Sequence, residues 1–368
     1  MEEKCPSRST LNPSRGLLLL PAAQAEGEIC FSCSGVSVAQ SDTRPVLLAL
    51  RALKLGDLLV AVPALRGLRR AFPGHELILA APGWLAPVVP LIGGINRLLE
   101  TPGLDDPLPW EGPVDIAVNL HGNGPESRGR LEELSPTYRI GHAAPGWAGP
   151  EWDDSLHERE RWARLVSWHG IPASPDDFRL CPPETPAPAE GATIIHVGAA
   201  YGSRRWPMER FADVAAVLAL KGHRVMVTGG PEDTFRAAAV ARAAGLPRTA
   251  CAAGVWALDE FAAAIAAARV VITADTSAGH LASAYGTPSV VLFGPATPEQ
   301  WGPPADGPHI VLTDPLVRHG DPFAELPDPA LLAVLPGQVL DAVDRLESGE
   351  HPGRDDDADH RRDDVAVR

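Results

Sequence analysis

The chain has 368 residues and a formal net charge of −15 at pH 7. This length suffices for two domains of ordinary size, each with its own core. The acidity argues against nucleic acid as a partner, because a phosphate backbone requires a basic surface.

The two ends of the chain show no apolar periodicity. We expect residues 1–44 to form a disordered extension and residues 347–368, with the acidic run Arg354–Asp359, to form a disordered charged tail. The pair Cys30 and Cys33 lacks a second pair, so a zinc site is not predicted. No segment is long and apolar enough to span a bilayer, and the cysteine usage fits a reducing cytoplasm.

The first α/β half is predicted over residues 45–171. Val46–Leu50 is a buried strand, and further strands are predicted at Leu77–Ala80 and Val114–Leu120. The apolar spacing of residues 64–71 predicts a helix between them. Strands that alternate with helices predict a parallel sheet with helices on both faces.

Six prolines within residues 172–191 interrupt this alternation and predict a linker. Residues 192–346 then resume it as a second α/β half, with a helix over residues that include Phe211 and Leu218. Two such halves predict a bilobal protein with a cleft between the carboxyl edges of its sheets. The predicted strands of the second half are Thr193–Val197, Arg224–Thr228, Val270–Thr273 and Ser289–Phe293.

The turn Arg51–Asp57 follows the first predicted strand. Gly56 permits a tight turn, and Asp57 can cap the next helix. Pro63 disturbs a helix that begins at residue 57, so the helix kinks or begins there. The residues alone leave Asp57 either as a helix cap or as a functional carboxylate.

Two turns of the second half are suited to a nucleotide. Gly198 and Ser203 can expose backbone N–H groups, and Arg204 adds a fixed positive charge suited to a phosphate. The alternative is a solvated arginine pair, while Trp206 is predicted to be a packing anchor. In the other turn a glycine pair permits close approach of a ligand and an acidic residue can accept from ribose hydroxyls, although an ordinary turn explains these residues as well. They are Gly229, Gly230 and Glu232.

The stretch Asp275–His280 follows the predicted strand Val270–Thr273. Its polar residues lie where a helix begins, and unpaired N–H groups there can bind an anion. Its two small residues are expected to keep the surface open, and its histidine lies one turn into the helix and can point at the cleft. The six residues are Asp275, Thr276, Ser277, Ala278, Gly279 and His280.

Together these motifs resemble glycosyltransferase family 9, the heptosyltransferase-like enzymes of the GT-B fold. The resemblance covers about residues 45–346, with the motifs in the family's order. The matching stretches are Lys54–Asp57, Pro63–Arg66, Asn119–Gly122, Arg205–Phe211, Thr228–Gly230 and Asp275–Pro303.

The resemblance implies an α/β protein of two Rossmann-like domains that face a central cleft. It implies inverting transfer of a sugar from a nucleotide diphosphosugar, with ADP-heptose as the leading candidate, to an acceptor hydroxyl of a cell-envelope glycan such as lipopolysaccharide. Neither a metal nor a further cofactor is expected. The expected location is the cytoplasm, with peripheral association at the inner face of the plasma membrane left open, and nucleic acid is not an expected partner.

The same resemblance implies a role for each matching residue. Asp57 is the expected general base that takes the acceptor's proton. Gly56, His121 and Asn123 are expected to contact the acceptor. The residues expected to hold the nucleotide sugar are Lys54, Gly198, Ser203, Arg204, Gly229, Gly230, Glu232, Asp275, Thr276, Ser277, Ala278, Gly279 and His280.

Two residues depart from the family's pattern, and two other functions stay open. Arg204 stands where the family usually has lysine, and Ser277 where it has glycine. A sugar-nucleotide epimerase of the same fold and a non-catalytic nucleotide-sugar-binding protein are the alternatives, and the motif Lys54–Asp57 speaks against both. A dinucleotide dehydrogenase is disfavoured, because no GxGxxG follows the first strand.

Overall fold

The computed structural model describes residues 44–350. The predictions made for residues 1–43 and 351–368, including those for Cys30, Cys33 and Arg354–Asp359, lie outside the described residues.

The N-lobe is a five-stranded sheet with helices on both faces. Its first strand is buried along its whole length, which explains its uninterrupted apolar sequence. The strands are β1 (Val46–Leu50), β2 (Glu76–Ala81), β3 (Arg97–Glu100), β4 (Ile116–Asn119) and β5 (Tyr138–Ile140). The helices are α1 (Leu55–Val60), α2 (Val62–Ala71), α3 (Val89–Ile92), α4 (Pro125–Glu132) and α5 (Glu158–Trp168).

The C-lobe repeats this architecture with a second five-stranded sheet. Its strands are β6 (Thr193–His196), β7 (Val225–Thr228), β8 (Val270–Ala274), β9 (Ser289–Leu292) and β10 (His309–Leu312). Its helices are α6 (Met208–Leu220), α7 (Thr234–Ala243), α8 (Leu258–Ala266), α9 (Ser277–Tyr285), α10 (Pro298–Trp301), α11 (Pro329–Leu332) and α12 (Pro336–Ser348). The last helix ends two residues beyond the predicted end of this half at residue 346.

The order of the strands predicts one ligand-binding position in each lobe. The N-lobe order is β3-β2-β1-β4-β5, and the C-lobe order is β10-β9-β8-β6-β7, with parallel pairing throughout. The order reverses between β1 and β4 in one sheet and between β6 and β8 in the other. In sheets of this kind a ligand binds outside the carboxyl ends of the strands at such a reversal. The turns after β1, β4, β6 and β8 are therefore the expected ligand-binding positions.

Alternate residues of each central strand belong to different apolar clusters, as the two-residue period of a strand requires. Leu47 and Ala49 lie in a cluster that continues through α1 and α9 into the C-lobe, where it includes Ile194. Leu48 packs with Leu131 of α4 and with loop residues such as Trp147, and Ile195 packs with the outer helices of the C-lobe. A shared inner cluster therefore joins the two lobes.

The proline-rich segment 172–191 contains neither helix nor strand but packs against both lobes. Leu180 is buried in the inner cluster. Asp177 accepts hydrogen bonds from Arg66, at 2.8 Å, and from Arg70, at 2.5 Å, both on α2. Arg179 donates to the Ser283 carbonyl of α9 at 3.1 Å. The connection is thus anchored to both lobes.

Two predictions about single elements are resolved by the structure. The chain does both things allowed at Pro63: a short helix ends at Val60, and a second begins at Val62 with the proline in its first turn. Trp206 is fully buried and its indole donates to the Val334 carbonyl at 3.1 Å, which confirms it as a packing anchor. None of the helices within residues 44–350 has the length and apolar character needed to cross a membrane.

Helix α6 offers a matched test of this packing. Leu218 is 0% exposed, whereas Leu220, two residues later, is 89% exposed. We expect Leu218→Ala to lower the free energy of unfolding by about 2–5 kcal/mol, because it removes buried methyl groups and leaves a cavity. Leu220→Ala should change it by less than about 0.5 kcal/mol. Urea denaturation of both variants checks this, and equal losses would contradict the assigned burial.

Candidate active site in the interlobe cleft

The two lobes touch where their sheet-edge turns meet. A Cβ built on Gly56 of α1 would lie 3.0 Å from the His280 ring and 3.9 Å from the Ser277 Cα of α9. The Lys54 ammonium lies 5.2 Å from the centre of the Tyr201 ring across the cleft. Glycine at position 56 thus allows the turn after β1 to approach the turn after β8 closely.

Asp57 lies in the first turn of α1 and does not cap it. The N-cap position is Lys54, and no side chain caps this helix end. The interpretation of Asp57 as a helix cap is therefore wrong. Its carboxylate is 30% exposed in the cleft, and Oδ1 lies 3.9 Å from the Arg51 guanidinium. The geometry leaves this carboxylate available to a ligand.

Arg51, in the same turn, received no role from its sequence context. It is fully buried, and its Nε donates to the Asp57 carbonyl at 2.9 Å while NH1 donates to the Leu120 carbonyl. Its guanidinium carbon lies 4.5 Å from the centre of the Trp162 ring. The sequence signal for a role of Arg51 is a charged residue directly after an apolar strand. Two of its partners, Leu120 and Trp162, lie far from it in the sequence.

The turn after β4 brings His121 to the same place. Burial lowers the pKa of His121 to about 4, with a further lowering by the Arg51 charge that Asp57 partly opposes. Its buried Nδ1 has no hydrogen-bond partner among the described residues. Asn123 lies on an exposed loop, where its carbonyl accepts from Arg128 at 2.8 Å. The structure thus groups His121 with Asp57 and leaves Asn123 at the rim.

The glycines after β6 and β7 are required by packing against Asp233. A Cβ on Gly198 would lie 2.4 Å from Asp233 Oδ2, and one on Gly229 would lie 2.6 Å from Asp233 Cβ. Gly230 donates its N–H to Asp233 Oδ2 at 3.0 Å. Burial raises the pKa of Asp233, which sequence reasoning did not select. Glu232 is exposed beside these turns.

Ser203 is not available to a ligand, which corrects its predicted role. Its side chain is fully buried, and the hydroxyl donates to the Pro322 carbonyl at 2.8 Å. Its backbone N–H donates to the Ala324 carbonyl at 2.8 Å. Both donors expected to face a phosphate are therefore used to hold the 318–328 loop.

Arg204, the next residue, faces the turn after β8. One guanidinium nitrogen lies 3.3 Å from Asp275 Oδ2, and Nε has no hydrogen-bond partner among the described residues. Burial raises the pKa of Asp275, the Arg204 charge opposes this, and the Asp57 charge adds to it. Residues from the turns after β1, β6 and β8 thus share one electrostatic environment.

The start of α9 supplies donors, although not all the predicted ones. The Thr276 hydroxyl accepts from the Ala278 N–H at 3.3 Å and lies 2.8 Å from the Thr273 hydroxyl, which itself donates to the Ala274 carbonyl. The Thr276 hydroxyl therefore donates its proton to the Thr273 hydroxyl and uses an oxygen lone pair to cap α9. Ser277 begins the helix, and its N–H is among the first-turn donors without an intrahelical acceptor.

Ala278 and Gly279 do not keep the surface open, contrary to expectation. Both are buried, and a Cβ on Gly279 would contact Val291 at 3.5 Å, so these small residues let α9 pack closely on its sheet. His280 does face the cleft. Burial lowers its pKa to about 3, and its ring packs edge-on against Trp301. It is therefore neutral at pH 7.

No group of three or more His, Cys, Asp or Glu side chains within residues 44–350 is arranged to hold a metal ion.

Comparisons of sequence and of structure relate this chain to known glycosyltransferases. A family model described as Glycosyltransferase family 9 (heptosyltransferase) matches residues 168–316. Lipopolysaccharide heptosyltransferase 2 of Escherichia coli (strain K12) is 29% identical over 156 residues, which cover 40% of this chain and 44% of that protein. In this match the chain spans less than half the length of its curated relative.

Two solved structures share the whole architecture. The glycosyl transferase family 9 protein from Veillonella parvula DSM 2008 has a TM-score of 0.66 and 20% identity, over 83% of this chain and 98% of that one. The E. coli ADP-heptose lps heptosyltransferase II has a TM-score of 0.66 and 19% identity, over 83% and 99%. The two facing lobes therefore have the GT-B fold. Residues 168–316 match the glycosyltransferase family 9 model, which confirms the resemblance seen in the motifs of that stretch.

The buried histidine of β6 gives a pH-dependent prediction. Burial lowers the pKa of His196 to about 4, whereas an unfolded chain binds this proton near pH 6.5. Its contribution is therefore intact above pH 6.5 and is lost as the pH falls towards 4. Over this window the unfolding free energy should fall by up to about 1.4 kcal/mol per pH unit for this one proton.

His196→Gln removes the proton site and keeps a polar group near the Thr228 hydroxyl, the 3.1 Å partner of Nδ1. Urea denaturation at pH 7.5, 5.5 and 4.5 should give a shallower pH dependence for the variant than for the wild type. Parallel curves would contradict a buried neutral histidine at this position.

Proposed function

We propose that this protein is an inverting, metal-independent glycosyltransferase that moves a sugar from a nucleotide diphosphosugar to a hydroxyl of a cell-envelope glycan. One observation carries the proposal: the turn that holds Asp57 in the N-lobe approaches the start of α9 in the C-lobe, where a Cβ on Gly56 would lie 3.9 Å from the Ser277 Cα. Asp275 precedes that helix and lies 3.3 Å from Arg204; burial raises the pKa of Asp275, and the Asp57 charge adds to this rise. The proposed base, Asp57, and the cation Arg204 thus lie on opposite sides of the cleft.

These groups fit the two halves of an inverting transfer. The Asp57 carboxylate accepts the proton of the acceptor hydroxyl as its oxygen forms a bond to the anomeric carbon. The bond from that carbon to the diphosphate breaks on the opposite face, and the nucleoside diphosphate leaves with the electron pair. Arg204 and the first-turn N–H groups of α9 are positioned to stabilise the charge that develops on it. These donors take the place of a metal ion in the proposal.

The substrates are proposed from the relatives. Two of the proteins named above are heptosyltransferases of lipopolysaccharide, and one of these two, a solved structure, is named for ADP-heptose. We therefore propose ADP-heptose as the donor and a lipopolysaccharide-type core glycan as the acceptor. The proposed location is the cytoplasm, with the acceptor reached at the inner face of the plasma membrane.

Asp57→Asn tests the proposed base. It keeps the shape of the side chain and removes its basicity, so kcat should fall by about 10²–10⁴-fold. Affinity for ADP should stay nearly unchanged, because the nucleotide binds the other lobe. Stability should also stay nearly unchanged, because Asp57 does not cap α1. The measurement is ADP release from ADP-heptose with a core oligosaccharide acceptor, in the presence of EDTA.

Glu126→Gln is the matched control. Glu126 is also an exposed acid in the first turn of an N-lobe helix, α4, and its loss should leave kcat unchanged. An Asp57→Asn variant with wild-type turnover would overturn the catalytic assignment. Loss of wild-type activity in EDTA would overturn metal independence.

Arg204→Ala tests the proposed diphosphate site. Loss of a charge-assisted phosphate contact is worth about 1.5–3 kcal/mol, which corresponds to about one to two decades of Kd. The variant also leaves the buried Asp275 carboxyl without its cation. Calorimetric titration with ADP should therefore show an affinity at least tenfold lower, and Arg204→Lys should recover part of the loss because it keeps the charge.

Arg269→Ala serves as the control for this variant. Arg269 is a surface arginine of the same lobe, paired with Glu347 at 2.6 Å. Its removal should leave the Kd for ADP unchanged. Equal affinities of the Arg204→Ala variant and the wild type would show that Arg204 does not bind the diphosphate.

A further inference from the structure

Arg51 is a buried arginine that lies directly behind the proposed base. It follows β1, and its guanidinium holds two backbone carbonyls at once. Nε donates to Asp57 at 2.9 Å, and NH1 donates to Leu120 at the end of β4. These two carbonyls belong to the two turns on either side of the N-lobe reversal point.

Residues of α5 also hold the Arg51 guanidinium. Its carbon lies 4.5 Å from the centre of the Trp162 ring, and the Trp162 indole donates to Glu158 at 3.0 Å. Trp162, Glu158 and Arg51 are all buried. The Glu158 charge acts on Arg51 and on Arg161, to which it is paired at 3.0 Å. A planar group held on one face and by two hydrogen bonds has little freedom to move.

The contact with the Asp57 side chain is of a different kind. The nearest guanidinium nitrogen is 3.9 Å from Oδ1, which is too long for a hydrogen bond. Arg51 therefore holds the backbone of Asp57 and leaves its carboxylate oxygens free to accept a proton. A catalytic base must be held in place while its carboxylate oxygens stay free to accept the proton.

We propose that Arg51 is a positioning residue, which fixes the first turn of α1 against the end of β4 so that Asp57 meets the acceptor hydroxyl. This inference rests on the proposed function of Asp57. The two guanidinium hydrogen bonds of Arg51, here called the fork, join Asp57 to the turn that carries His121. The fork therefore sets the spacing of both groups on the proposed acceptor side.

A double-mutant cycle tests this role. Arg51→Met removes the fork and keeps an apolar side chain above Trp162. Because small displacements of a reacting group can cost about 10²-fold in rate, we expect kcat to fall by about 10- to 100-fold. The Kd for ADP should stay unchanged. In the Asp57→Asn background the same substitution should lower kcat by less than about twofold, because the group it positions no longer acts.

Arg66→Met is the matched control. Arg66 in α2 also donates Nε to a backbone carbonyl, that of Ile92 at 2.9 Å, and a second nitrogen to a carboxylate, that of Asp177 at 2.8 Å. It lies away from the cleft, so its loss should lower stability without changing kcat per folded molecule. ADP binding stoichiometry counts the folded fraction of each variant.

Arg51→Lys covers the case in which the methionine variant does not fold. Lysine keeps the charge and can reach only part of the fork, so kcat should lie between wild type and the expected value for Arg51→Met. Wild-type kcat in Arg51→Lys and in any folded Arg51→Met overturns the positioning role, as do equal losses in both Asp57 backgrounds. Failure of the proposed function appears separately, as unchanged kcat in the single Asp57→Asn variant.

Discussion

The close approach of α1 to α9 at Gly56 determines how the cleft is built. A Cβ at this position would lie 3.0 Å from the His280 ring, so a larger residue would require this ring to shift. Each helix follows a strand at the reversal point of its sheet. One contact between helices therefore brings together the polar turns of both sheets, and the shared apolar cluster beneath it fixes their separation.

The charges in the cleft follow from this arrangement. His121 and His280 have pKa values lowered by burial to about 4 and about 3, so both are neutral at pH 7. The charged groups described in the cleft are then a guanidinium and a carboxyl group from each lobe, Arg51 with Asp57 and Arg204 with Asp275, together with the Lys54 ammonium. These charges nearly balance before any ligand binds. A diphosphate adds negative charge, which explains why its proposed site also includes a helix N-terminus.

Most of the fold could be predicted from the sequence because the governing patterns are local. Val46–Leu50 was predicted with its observed bounds, since a strand buried on both faces is apolar at every position. Ser203 was misjudged because its role depends on Pro322, 119 residues away. Arg51 was overlooked for the same reason, since Leu120 lies 69 residues away. Ala278 and Gly279 were misjudged because small residues suit close helix–sheet packing as well as an open surface.

The two lobes also differ in how much of their chemistry the sequence displays. A diphosphate is bound largely by backbone N–H groups and fixed cations, which appear in sequence as small and basic residues directly after apolar strands. The family match over residues 168–316 takes in these turns and leaves out β1 to β5. An acceptor glycan is bound by side chains, whose directions are set by tertiary packing. His121 illustrates this, because its environment depends on burial against Arg51 and Asp57 and not on its neighbours in the chain. The proposed acceptor side of the cleft therefore depends on the fold, whereas the turns of the proposed donor side can be located in the sequence.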